Sequence, residues 1–256
     1  MRLHGKVLVI TGATSGIGAA IATAAVREGA HVLIHGINEE EGVATVARLG
    51  AQAKLCLTDL ADENSPSIIA QAAVGAFGKI DGLVNNAAIV ERSNLAALSP
   101  FELNRIMQVN LNAPLFLIQA CYDELKKSKG AVLNIGSINA YAGESTLLAY
   151  SISKGALQTM TRNLANAHGV HGIRVNQINP GWVLTEREDR DQIAKGLEPG
   201  WHQRLDPSAI PFGAMTTPEQ IGDAAIFWLG DESRTFTGSI LELEQFSIIG
   251  RNPEKL

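Results

Sequence analysis

Long apolar runs are missing from this chain. No stretch approaches the ~18 consecutive apolar residues of a membrane-spanning helix. The opening Met1-Arg2-Leu3-His4-Gly5-Lys6 has neither the apolar stretch nor the small-residue cleavage site of a secretory leader. The expectation is a cytoplasmic protein without a membrane partner. Cysteine is scarce: Cys56 and Cys121 are the only two, both in apolar surroundings. That argues against a disulfide framework or a zinc site, and each reads as a small buried hydrophobe. Basic excess is lacking too. Lys and Arg number 21 against 26 Asp and Glu, a net charge of -5, so nothing suggests a nucleic-acid surface, which needs clustered cations. With 46% apolar and 18% charged residues, the composition excludes disorder, a coiled coil and a collagen-like fibre. The 256 residues are enough for a full core without staples, and are read as a single domain, 1–256.

What is present is alternation. Short β-branched runs at 7–10, 32–35, 54–57, 80–84, 131–135, 174–178 and 240–243 read as strands. Helical patterns fill the spaces at 17–28, 39–49, 66–77, 100–127, 147–168 and 218–229, the first three closing on Gly29, Gly50 and Gly78. Strict strand–helix alternation argues for an α/β fold: a doubly wound parallel sheet of about seven strands with right-handed crossovers and helices on both faces. Ligands of such sheets bind beyond the carboxyl ends of the strands. The stretch 182–212 breaks the rhythm with Pro199, Pro207 and Pro211, two tryptophans and many charges. It reads as a lid-like insertion over the site.

Between the first strand and helix lies Thr11-Gly12-Ala13-Thr14-Ser15-Gly16-Ile17-Gly18. Gly12 permits a tight turn, Gly16 lets backbone approach a pyrophosphate, and Gly18 lets helix and strand pack closely. The helix N-terminus then offers free N–H groups and a positive dipole end to an anion. Gly12, Ser15, Gly16, Ile17 and Gly18 are the candidate cradle for a dinucleotide. A plain glycine turn is the bland alternative, and the strand–turn–helix context argues against it.

The spacing T-G-x-x-x-G-x-G resembles that of the classical short-chain dehydrogenase/reductase family, and the resemblance spans nearly the whole chain. Asp59-Leu60 resembles that family's adenine-contacting pair. Asn85-Asn86-Ala87-Ala88 resembles its N-N-A-G motif, with Ala88 in place of the glycine. Asn110, Ser137, the Tyr150-x-x-x-Lys154 pair and Pro180-Gly181 followed by Val183 and Thr185 fall in the expected order. The resemblance implies a Rossmann-type fold and cofactor contacts from Asn86, Ala87 and the Pro180–Thr185 segment, the latter at the nicotinamide carboxamide. It implies that Asn110 holds a water in a proton relay. It also implies a homotetramer or homodimer that pairs the helices 100–127 and 147–168 across a two-fold axis.

Tyr150 and Lys154 share one face of a helix. A phenol titrates near 10 unaided, and a nearby ammonium favours the phenolate, so Tyr150 is expected to act as general acid/base. Ser137 would hold the substrate oxygen and Lys154 the nicotinamide ribose. Hydride chemistry belongs to the cofactor. His168 and His171 read as a solvated helix end rather than a metal site. The run 186–191 alternates in sign and reads as a solvated helical face.

An acid at the end of strand two would signal NAD, and a cation there or in the turn would signal NADP. Gly36 and Ile37 stand at those positions and the turn has no basic residue. NAD is therefore expected, with NADP not excluded; His35, if protonated, is the one side chain nearby to meet a phosphate. The expected substrate is a small-molecule alcohol or carbonyl. Asn139, Glu144, Glu186 and Gln245 suit a sugar or polyol, and Trp182 could stack on a sugar ring or line a steroid pocket. The alternatives are a 3-oxoacyl-thioester or steroid reductase, or a non-catalytic dinucleotide-binding protein. Glu244-Gln245-Phe246 stands where the resemblance leads one to expect Asp-Gly-Gly, and Gln245, Phe246 or Arg251 is expected to reach toward a substrate.

Overall fold

The computed structural model describes residues 1–246, so Arg251 lies outside the described residues. Seven strands, β1 (Val7–Ile10), β2 (His31–Gly36), β3 (Ala53–Leu57), β4 (Gly82–Asn85), β5 (Ala131–Ile135), β6 (Arg174–Pro180) and β7 (Ile240–Leu243), form one sheet. Its order is β3-β2-β1-β4-β5-β6-β7 and every pairing is parallel. Parallel neighbours need crossovers. These contain α1 (Gly16–Arg27), α2 (Glu39–Leu49), α3 (Ser65–Phe77), α4 (Pro100–Met107), α5 (Ala113–Ala120), α6 (Tyr122–Ser128), α7 (Asn139–Ala142), α8 (Leu148–His168), α9 (Glu186–Ala194) and α10 (Pro218–Leu229). The doubly wound Rossmann-type expectation holds. Strand order reverses between β1 and β4, and a crevice opens beyond their carboxyl ends.

The central strands β1, β4 and β5 are buried on both faces and are mostly apolar, whereas β6 is buried but largely polar. Successive side chains still point to opposite faces. Leu8 and Ile10 join Ile21, Ile34, Leu133 and Ile226 in one core under α1 and α10. Val9 joins Leu33, Leu83, Val132, Leu117 and Ile69 in the other, under α3, α5 and α8. Each fully buried Leu or Ile contributes about 1.5–3 kcal/mol relative to exposure. No helix among the described residues is long and apolar enough to cross a membrane.

The helix expected over 100–127 is broken into α4, α5 and α6. A π-helical turn, Gln108–Asn112, separates the first two. Pro114 has no N–H to give the Asn110 carbonyl four residues back, and its ring would crowd that carbonyl, so the chain widens there instead of kinking out. Within the 182–212 insertion Trp201 and Ile210 pack with Met215, just beyond it, in a small core, and Val183 bridges to Thr216.

Helix α10 begins with a capping box, Thr217 and Gln220, around Pro218. It lies close on α1 at Gly222, where a Cβ would be 2.9 Å from the Ala20 carbonyl oxygen. Gly222→Val is expected to force the two helices apart and destabilise the fold by about 1–3 kcal/mol, the usual cost of overpacking. Urea denaturation midpoints of the two proteins check this.

Candidate active site

The glycine turn is fastened from three sides. Thr11 Oγ1 accepts from the Asn86 and Ala87 backbone N–H groups at 3.0 and 3.1 Å, and Asn86 Nδ2 donates to the Thr11 and Gly12 carbonyls at 2.9 Å each. Thr45 of α2 donates to the Thr14 carbonyl at 2.9 Å. From β2, His35 Nδ1 accepts the Gly12 N–H at 3.4 Å and Nε2 donates to the Thr58 carbonyl at 2.9 Å. His35 is 2% exposed, with both ring nitrogens engaged. It is therefore a brace for the turn and not the cation that a phosphate would need. Burial holds its imidazole below the ordinary value, with the Thr58 carbonyl and Asp59 opposing.

The turn fits a pyrophosphate. Gly12 and Gly16 have φ of 59° and 55°, and a Cβ on Gly18 would lie 2.2 Å from the Gly12 carbonyl oxygen. Ser15, the N-cap of α1, makes no side-chain cap bond, which leaves the first N–H groups of the helix, Ile17 and Gly18 among them, for an anion. Thr185 sits over Gly16, within 3.7 Å of where a Cβ would be. Gly12, Ser15, Gly16, Ile17 and Thr185 line a cleft of about 1500 Å³ that also includes Asp59, Leu60, Asn86, Ala87, Ser137, Tyr150, Lys154, Pro180, Gly181 and Val183. Of the residues singled out from sequence for cofactor or catalysis, all except the buried Gly18 and Asn110 line that one cleft.

Tyr150 and Lys154 project from α8 toward Ser137, which follows β5. Lys154 is buried, donates from Nζ to the Ile135 carbonyl at 2.7 Å, and lies 5.6 Å from the Tyr150 ring centre. Burial alone pulls its ammonium down to about 8. Burial pushes the Tyr150 phenol above its ordinary value, and a hydrogen bond with Ser137 opposes that. The lowering expected from the ammonium is thus not what the site shows: burial raises the phenol, and the Ser137 hydrogen bond is what opposes it. Asn110 lies behind the cleft in the π-helical turn. Its Oδ1 accepts the Ile89 N–H at 2.8 Å, and Nδ2 donates to the Ile89 carbonyl and to Ser153 Oγ at 3.0 Å each.

Sequence reasoning missed the support beneath these groups. Asn85 Nδ2 donates to Asn134 Oδ1, Asn134 Nδ2 to Thr161 Oγ1, and Thr161 Oγ1 to Gln177 Oε1. Gln177 Nε2 donates to Asn179 Oδ1, which also accepts the Ser137 N–H at 3.1 Å, and Asn179 Nδ2 donates to Gln158 of α8. Each residue alone reads as an out-of-place polar side chain in an apolar pattern. That oddity was the available signal.

Farther out, Arg92 pairs with Glu144 at 3.5 Å and donates to Thr146 Oγ1; Arg92, Glu144, Asn139 and Glu186 line the cleft. The run 186–191 is not merely solvated. Glu188 accepts from Trp182 Nε1 at 2.8 Å and Asp189 from Trp201 Nε1 at 2.9 Å, and the two indoles stack 5.4 Å apart. Glu244 packs on Gly181 and accepts the Trp182 N–H at 3.2 Å. Gln245 accepts the Phe212 N–H and donates to the Ala214 carbonyl, so it ties down the insertion instead of reaching toward a substrate. Phe246 is half-buried. His168 and His171, both half-buried, pack edge-on against Tyr122 at 5.2 and 6.2 Å. No group of three or more residues able to hold a metal occurs among the described residues. Cys56 and Cys121 are free and buried.

A fold with this turn and a buried Tyr–Lys pair at the carboxyl edge defines a class, the dinucleotide-binding oxidoreductases. A family model described as enoyl-(acyl carrier protein) reductase matches residues 12–244. The chain is 34% identical to galactitol 2-dehydrogenase of Agrobacterium fabrum, over 91% of this chain and 93% of that protein. Among solved structures it resembles a 3-oxoacyl (acyl-carrier-protein) reductase from Agrobacterium tumefaciens with NADP bound: TM-score 0.86, 30% identity, 94% of this chain and 93% of that one. It also resembles a 3-ketoacyl-(acyl-carrier-protein) reductase from Brucella melitensis complexed with NADH: TM-score 0.83, 27% identity, 94% and 97% covered. The chain belongs to the short-chain dehydrogenase/reductase family. It is an NAD(P)-dependent oxidoreductase acting on CH–OH groups.

The His35 brace makes the fold acid-sensitive. The folded state holds the ring neutral with its pKa lowered, so the unfolded chain binds the extra proton as pH falls below about 6.5. Stability from this group is expected to be intact above that pH, to decline as pH falls toward the lower folded value, and then to level off. The difference in urea midpoint between the parent and His35→Gln, followed from pH 8 to pH 5, should shrink through that window.

Proposed function

We propose that this chain interconverts a secondary alcohol of the sugar or polyol class and its carbonyl, with NAD preferred over NADP. The observation that carries the catalytic part is Tyr150, hydrogen-bonded to Ser137 at the cleft, with the buried Lys154 ammonium beneath it and, among the described residues, no carboxylate paired with that charge. A bound nicotinamide dinucleotide would supply or accept the hydride. Gly12, Ser15, Gly16, Ile17 and Gly18 would hold its pyrophosphate. Asp59, Leu60, Asn86 and Ala87 would line the adenosine side, and Pro180, Gly181, Val183 and Thr185 the carboxamide. Ser137 donates to the substrate oxygen and Lys154 holds the nicotinamide ribose. Asn110, one side-chain contact from Ser153, is given the relay role that the resemblance implies.

Tyr150 moves the proton. Its phenol, protonated at neutral pH even at the ordinary value and held more firmly so by burial, gives a proton to a carbonyl oxygen there. Alcohol oxidation needs the phenolate and rises with pH through the alkaline range. The polar rim of Asn139, Glu144, Arg92 and Glu186 supports a polyhydroxylated substrate, as does the likeness to galactitol 2-dehydrogenase. The likeness to two oxoacyl-carrier reductases favours a 3-oxoacyl thioester as the second reading. The NAD preference rests on the absence of a cation at Gly36, Ile37 and the turn, since a desolvated phosphate without a partner is costly.

The reading extends to a homotetramer or homodimer built on α4, α5 and α8, where Phe101, Phe116 and Ile152 are left exposed; sedimentation velocity reads the state. It extends also to a cytoplasmic, single-domain enzyme, in keeping with two unpaired thiols.

A panel of polyols, sugars, steroids and 3-oxoacyl thioesters, followed at the reduced-nicotinamide absorbance with both cofactors, tests the reading. Tyr150→Phe is expected to lose about 10²–10⁴-fold in turnover while cofactor affinity stays unchanged. Near-normal turnover in that variant would overturn the assignment. Tight dinucleotide binding without turnover of any compound would favour the non-catalytic alternative.

A further inference from the structure

The end of β2 offers no carboxylate, yet the structure brings one to the same place from another element. Gly36 is buried and has no room for a side chain: a Cβ there would lie 2.4 Å from Thr14 Cγ2. Thr14 therefore fills the space over the strand end, and its hydroxyl donates to Glu41 Oε2 at 3.2 Å. Glu41 stands in the first turn of α2. Its backbone N–H is capped by Asn38 Oδ1 at 3.2 Å, and Thr45, one turn on, grips the Thr14 carbonyl at 2.9 Å. Asn38 thus fixes the start of α2, and Thr45 holds that helix against the glycine turn. The carboxylate is half-buried and lines the cleft alongside Gly12, Thr14, Ser15, Gly36 and Asp59.

An ionised carboxylate has about four acceptor sites, and Thr14 is the only side chain that donates to this one among the bonds above. The charges on α2 around it do not cancel it. Glu39 and Glu40 share its turn, facing solvent. Arg48 lies seven residues on, about 10 Å along the helix axis, and donates to Thr23 Oγ1. Acids about 20 residues beyond such a turn accept from the adenosine ribose hydroxyls of NAD. Glu41 is the acid that the tertiary structure puts against this turn.

We infer that Glu41 is the specificity-determining residue for the dinucleotide, accepting from ribose hydroxyls and repelling a 2′-phosphate. Selection for NAD is thereby displaced from the end of β2 to the first turn of α2. This rests on the dinucleotide reading above. Isothermal titration of NAD⁺ and NADP⁺ into the parent, Glu41→Gln, Glu41→Lys and the control Glu40→Gln tests it without turnover. The parent is expected to bind NAD⁺ more tightly. Glu41→Gln should narrow the ratio of the two Kd values about tenfold, and Glu41→Lys should invert it. Glu40→Gln, with the same charge change on an exposed side chain, should move the ratio less than about twofold. A Glu41→Gln ratio no different from that of Glu40→Gln overturns the role of Glu41 while leaving the dinucleotide reading in place, and so does an uninverted ratio in Glu41→Lys. A parent that favours NADP⁺ overturns it as well. A parent that binds neither dinucleotide overturns the dinucleotide reading, and this inference with it.

Discussion

The site depends on α8 being held in one register over the middle of the sheet, and a chain of buried amides does that. Asn85, Asn134, Thr161, Gln177, Asn179 and Gln158 run from β4 across β5 and β6 to α8, and the chain ends on the Ser137 backbone. Apolar packing is tolerant of small slips, whereas a buried amide left without its partner loses about 1–3 kcal/mol. The register that satisfies this chain therefore faces Tyr150 and Lys154 toward Ser137. Gly136 belongs to the same constraint: a Cβ there would lie 2.0 Å from Asn179 Oδ1.

With α8 fixed, desolvation sets the chemistry of the pair. Lys154 is buried against a carbonyl rather than a carboxylate, so its pKa falls to about 8. Tyr150 is buried as well and its pKa rises. Both shifts have one cause, removal from water, and they favour a neutral, proton-bearing phenol beside an ammonium that can still lose its proton. The π-helical turn at Asn110 serves the same geometry. It brings a side-chain amide to both the loop after β4 and Ser153, the residue next to Lys154.

The phosphate end of the cleft is fastened by a different set of contacts. Asn86, His35 and Thr45 each hold the glycine turn from a separate element. Glu244 and Gln245, the first two of the three residues that stand at the expected Asp-Gly-Gly, tie Trp182, Phe212 and the Ala214 just beyond the insertion to the end of β7. The unusual C-terminal dipeptide is thus part of how the insertion is seated.

Much of this was legible in the residues themselves. The apolar alternation determined the strands, the helices and the two-sided burial, because period and length are local properties that any fold must respect. The glycine spacing marked the turn, since only glycine takes φ near +60° without strain there. Tyr150, Lys154 and Ser137 could be singled out by chemistry and order. What only the tertiary structure decided was partnership at long range. His35 became a brace instead of a cation, the acids of 186–191 became anchors for two indoles, and residues 49 and 27 apart in sequence met as Asn85–Asn134 and Asn134–Thr161. Such pairs leave no periodic trace along the chain, because a hydrogen bond needs its two groups within about 3 Å and sequence spacing says nothing of that distance once the sheet has brought remote segments together.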